Sequence, residues 1–211
     1  PMRILAPWSA ILVTNPQRRS RTVFVNSRSG IASSTGISWV IAMSNVYSSD
    51  RIRFGGGSIL SNHALRFVWL LRKCQNSHNP LWHLFRKRMA CKYGLEIAPA
   101  TSIGEGLYLG HAFGITVNPN AVIGRNCNMH KGVTIGRENR GKRKGAPVLG
   151  DCVWLGVNST IVGGVRLGND VLVAPNTYVN CDVPSHSIVI GHPCKIISRD
   201  GATDEYINNR V

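Results

Sequence analysis

Between residues 97 and 179 an aliphatic side chain returns every six residues. The series runs Ile97, Ile103, Leu109 and Ile115, then Ile123, Met129 and Ile135, then Leu149, Leu155, Ile161, Leu167, Val173 and Val179. A glycine often follows, as after Ile103, Leu109, Ile123, Ile135, Leu149, Leu155 and Leu167. A period of six matches neither the 3.6-residue α-helix nor the two-residue alternation of a strand. It does match a short extended segment and a tight turn repeated around a prism. Each aliphatic then stacks on the one a coil away, and three units make a coil of about 18 residues. The small residue after it lets the chain bend without a Cβ clash. Two interruptions are expected: a two-residue slip near Asn118–Ala121 and an excursion, RENRGKRKGAP, over residues 137–147. A long excursion from a rigid solenoid is a usual place for function.

The rest of the chain is organised around this block. Residues 1–57 are rich in Arg, Ser and Thr and hold no acid before Asp50, so they are expected to be a disordered or non-native extension, with RFGGGS (53–58) as linker. A helical segment is expected over 58–94. Asn62 caps a first helix, NHALRFVWLLRKC. Asn79, Pro80 and Gly94 bound a second, PLWHLFRKRMACKY. The solenoid occupies 95–199 and a C-terminal tail 200–211. No apolar run approaches the roughly 20 residues of a bilayer span. The six cysteines form no CxxC pair, which suits reduced thiols and a cytoplasmic location. The net charge of +15 favours an anionic partner, but no nucleic-acid-binding signature accompanies it, so nucleic acid is not expected.

The segments EIAPATSIGEGLYLGHAFGI, AVIGRNC, GVTIG and VPSHSIVIGHPCKII resemble the hexapeptide-repeat acyltransferases, and within them the serine acetyltransferase family. The loop NRGKRKGAP is similar to members associated with capsule and exopolysaccharide clusters. The resemblance implies a left-handed parallel β-helix, mainly β, preceded by a short α-helical segment. It also implies a homotrimer with active sites between subunits, and acetyl transfer from acetyl-CoA to a hydroxyl of L-serine or of a sugar. His111 falls on the family's catalytic histidine, and Glu96 falls where an aspartate orients that ring. Histidine suits the task because its ordinary pKa lies near neutrality. The cofactor-binding positions carried over are Gly136, Arg137, Val157 and Pro175, with Lys142, Arg143, Lys144 and Lys195 facing the nucleotide phosphates. Gly110, Lys131 and Ala146 fall in the acceptor site. Gly110 and Ala146 replace an aspartate and a histidine that help to hold serine, which shifts weight towards a sugar hydroxyl. His130 and His192 are read as surface residues, and no metal site is expected. A catalytically silent β-helix acting as a binding or scaffold subunit is the alternative.

Overall fold

The computed structural model describes residues 46–211. Fifteen short strands wind into a β-solenoid with three sheets as its sides. The first sheet holds β1 (Leu95–Ile97), β4 (Ile115–Val117), β7 (Thr134–Gly136), β10 (Thr160–Val162) and β13 (Tyr178–Val179). The second holds β2 (Ser102–Ile103), β5 (Val122–Ile123), β8 (Val148–Leu149) and β11 (Arg166–Leu167). The third holds β3 (Tyr108–Gly110), β6 (Asn128–His130), β9 (Val153–Leu155), β12 (Val171–Val173), β14 (Ser187–Ile190) and β15 (Lys195–Ser198). All pairings are parallel except the closing one, where β15 turns back on β14. The corners after the first, second and third sheets are called here the first, second and third corners.

The six-residue series becomes three stacked ladders. Ile97, Val117, Ile135, Ile161 and Val179 pair through the first sheet. Ile103, Ile123, Leu149 and Leu167 pair through the second. Leu109, Met129, Leu155, Val173 and Val189 pair through the third. All are buried apart from the partly buried Ile103. Each contributes about 1.5–3 kcal/mol of apolar transfer.

The slip expected at Asn118–Ala121 lies earlier. Val117, not Ile115, stands over Ile97, so the extra residues sit in the turn between Leu109 and Val117, the turn that carries His111. Ile115 pairs with Leu95 and both are fully buried, so either phase looks apolar in the sequence.

The glycines after the aliphatics answer to crowding more than to bending at the second corner. A Cβ on Gly104 would stand 2.8 Å from the Gly124 carbonyl carbon and oxygen, and one on Gly124 2.3 Å from the Gly150 oxygen. Successive coils touch there backbone to backbone. The left-handed turns at this corner fall instead on Gly106, Asn126, Cys152, Asp170 and His186. Glycine, asparagine and aspartate tolerate that conformation best.

Both expected helices form: α2 (His63–Asn76), whose Asn62 cap accepts from Leu65 N at 3.1 Å, and α3 (Pro80–Tyr93), closed by Gly94 in the left-handed region. Leu65, Phe67, Val68 and Leu71 of α2 are buried. Part of the region expected to be extension, residues 46–53, forms a helix, α1. Its Asp50 is fully buried and meets Arg72 of α2 at 2.8 Å while accepting from Leu107 N at 2.8 Å. Arg72 in turn donates to the carbonyls of Ile103 (2.9 Å) and Gly104 (2.6 Å), so one ion pair ties α1, α2 and the first coil together. Residues 1–45 of that expected extension lie outside the described residues.

Residues 200–211 are held, not trailing. Thr203 and Ile207 are buried, Tyr206 meets Trp154 edge-on at 5.1 Å, and Asn126 holds Val211 through both its amide nitrogen and oxygen (2.7 and 2.9 Å). The segment DGATDEYINNRV carries no apolar periodicity from which this docking could be foreseen.

Candidate active site

The chain leaves β3 at Gly110 and re-enters the first sheet at Ile115, and His111 opens this turn with φ 50°. The third corner then repeats coil by coil. The Phe113 carbonyl accepts from Gly132 N at 3.0 Å, the Lys131 carbonyl from Asn158 N at 3.0 Å, and the Val157 carbonyl from Asn176 N at 2.9 Å. His111, Lys131, Val157 and Pro175 therefore share one edge of the prism. His111 and Lys131 are exposed along it.

Glu96 lies on β1, in register with Thr116, and its Oε2 accepts from Thr116 Oγ1 at 3.5 Å. Both Glu96 and His111 are exposed, and among the described residues no hydrogen bond joins them.

His130 departs from its sequence-based reading as a surface residue. It ends β6 in register with Gly110, is half-buried, and packs its ring on Trp154 at 4.7 Å. Its Nδ1 lies 3.0 Å from the Leu155 carbonyl oxygen. Its ring fills the space a residue-110 side chain would occupy, for a Cβ there would sit 2.5 Å from Cδ2 and 2.6 Å from Nε2. Burial, and then the nearby His111, lower its pKa below the ordinary histidine value. The glycine before His111 and the histidine on the next coil are one packing unit. Sequence reasoning missed it because the two are far apart along the chain and only the coil pairing joins them.

The other expected cofactor residues stand elsewhere. Gly136 ends β7, and its carbonyl accepts from Gly163 N at 3.1 Å. Arg137 begins the excursion at the first corner. That loop is pinned by a two-way backbone pairing of Glu138 with Gly145 (2.9 Å each way) and by Gly164 N on the Arg143 carbonyl (2.8 Å). Lys142, Arg143 and Lys144 are exposed at its tip, with Ala146 at its base. Lys195 is exposed at the start of β15. The structure thus divides the expected site between two edges of the solenoid. His111, Gly110, Lys131, Val157 and Pro175 lie on the third corner, and Gly136, Arg137 and the basic loop on the first. Among the described residues, no three His, Cys, Asp or Glu side chains are grouped to hold a metal ion. No helix among them is long and apolar enough to cross a membrane.

Curated relatives share this block. Serine acetyltransferase 2 of Arabidopsis thaliana is 36% identical over 136 residues, covering 64% of this chain and 42% of its own. Serine acetyltransferase of Staphylococcus aureus is 32% identical over 108 residues, 51% of either chain. Among solved structures, the Neisseria gonorrhoeae serine acetyltransferase in complex with serine superposes with TM-score 0.64 at 26% identity, covering 78% of this chain and 72% of that one. Over its repeat block the chain is similar to serine acetyltransferases, and it shares the β-solenoid fold of the solved one. It spans about half the length of the curated relatives it matches. No family model matches it.

Proposed function

We propose that this protein is an acetyl-CoA-dependent O-acetyltransferase of the serine acetyltransferase type, with L-serine or a sugar hydroxyl as acceptor. The observation that carries the reading is His111, held at positive φ on the solenoid edge where the coil is lengthened, in a chain 36% identical over 136 residues to a serine acetyltransferase. In the proposed reaction His111 takes the proton of the acceptor hydroxyl as its oxygen attacks the thioester carbonyl. The tetrahedral intermediate expels the CoA thiolate, which regains a proton from His111. Glu96 is the carboxylate for orienting the imidazole and must turn from Thr116 to do so.

The division of the site between two edges supports a homotrimer with active sites between subunits. The third corner of one copy, with its exposed His111, would then meet the first corner of the next. The pantetheine arm of acetyl-CoA runs along Gly136, Val157 and Pro175 in this arrangement. Arg137, Lys142, Arg143, Lys144 and Lys195 supply positive charge for its phosphates. A cytoplasmic location belongs to the same reading, since its six free cysteines suit a reducing compartment.

The test is CoA thiol release from acetyl-CoA across a panel of L-serine and glycosides. Acceptor-dependent release supports the reading. Thermal stability unmoved by CoA, together with no release from any acceptor, overturns it.

A further inference from the structure

The pairing of Gly110 with His130 has the marks of a built subsite. The Leu155 carbonyl oxygen, 3.0 Å from Nδ1, can only accept, so Nδ1 carries the ring proton and Nε2 keeps its lone pair. Trp154 backs the ring at 4.7 Å and fixes its plane. On the opposite side stands Gly110, where any side chain would collide with Cδ2 and Nε2 at about the 2.5 and 2.6 Å found for a Cβ. Among the described residues no partner occupies Nε2. His111 follows Gly110 directly, so the free lone pair lies beside the base.

We propose that His130 is an acceptor-binding residue: its Nε2 receives a hydrogen bond from an N–H or O–H donor adjacent to the hydroxyl being acetylated. This rests on the O-acetyltransferase reading above. The donor is either the ammonium of an amino-acid acceptor or the neighbouring hydroxyl of a sugar. Burial, against the opposing bond to Leu155 and with His111 nearby, lowers the ring's pKa and so favours the neutral form, which accepts a hydrogen bond without adding charge. The aspartate that the family resemblance places at position 110 would offer a carboxylate to the same volume. A neutral imidazole here removes that electrostatic preference for an ammonium.

Three variants separate the atoms. His130→Asn keeps a donor near the Leu155 carbonyl but has nothing at the Nε2 position. His130→Phe keeps the ring on Trp154 and loses both nitrogens. His130→Gln returns an acceptor oxygen near Nε2. Steady-state thiol release is measured with L-serine in one arm and an uncharged methyl glycoside in the other, with melting temperatures recorded for each variant. The expected result is an acceptor KM raised about tenfold in the Asn and Phe variants, as for one lost hydrogen bond at a buried site. The KM for acetyl-CoA stays put, and Gln recovers most of the loss. The arm that moves identifies the donor as ammonium or hydroxyl. If the wild type is active and the acceptor KM of His130→Asn is unchanged in both arms, the assignment of His130 is overturned alone. A wild type inert with both acceptors overturns the acetyltransferase reading and this inference with it. Should His130→Phe fail to fold, His130→Asn decides.

Discussion

Two histidines of this solenoid adopt the same left-handed backbone at different corners, His111 with φ 50° and His186 with φ 58°. His186 has what a catalytic histidine is expected to have, a carboxylate on its Nδ1: Asp170 stands 2.9 Å away. His111 shows no such bond among the described residues. Yet the pair at the second corner is structural. Asp170 Oδ1 also accepts from Thr203 N (2.9 Å) and Thr203 Oγ1 (2.6 Å), and Oδ2 from Ala202 N (3.1 Å). The carboxylate is saturated by the C-terminal segment and has no capacity left for chemistry. An acid beside a histidine therefore says little by itself. What separates the two is whether the surrounding groups are already committed: those around His186 are, and His111 is exposed on its edge.

Substitutions can sharpen or break this contrast. His111→Ala is expected to lower kcat/KM for acetyl transfer by about 10²–10⁴-fold with an unchanged melting temperature, as befits loss of a general base. Retained transfer would remove the base from His111 and with it the contrast. Asp170→Ala comes next, and its effect is on folding. Burial alone would raise the Asp170 pKa, but the bonds from Thr203, His186 and Ala202 outweigh it and hold the value at about 2. A depressed carboxylate stabilises the fold above its ordinary value near 3.8. That stability is lost as pH falls from there towards about 2. The wild type should lose about 2 kcal/mol across this window in urea titrations followed by circular dichroism, and Asp170→Ala should lose much less. His186→Ala is the smallest change, under about 1 kcal/mol because the pair is half-exposed, with kcat/KM as in the wild type. A loss of turnover as large as that of His111→Ala would mean that the second corner takes part in the reaction.

How much of this was legible beforehand follows from where each signal resides. The ladders were legible because every coil repeats the same demand for an aliphatic at the same depth. Both α2 and α3 were legible from Asn62, Asn79, Pro80 and Gly94, which act locally. The slip was misplaced because Ile115 and Val117 both satisfy an apolar pattern, and only pairing with Leu95 and Ile97 tells them apart. The docking of α1 through Asp50 and of the C-terminal segment through Asp170 was hidden, since a buried acid in the sequence looks like any surface acid. His130 was hidden for a different reason: its partner, Gly110, is defined only by the coil register. The carry-over from the family placed His111 and the loop on the chain but could not show that they occupy different edges.

The backbone stacking at Gly104 and Gly124 carries an evolutionary consequence. A solenoid whose coils touch main chain to main chain along one edge cannot accept an inserted residue there without parting the coils. Length variation is therefore channelled to the other two edges. In this chain the extra residues lie in the turn between Gly110 and Ile115 and at residues 137–147, which hold His111 and the basic loop of the candidate site. The edge that cannot change keeps the coils in step, and the edges that can are free to acquire new acceptors.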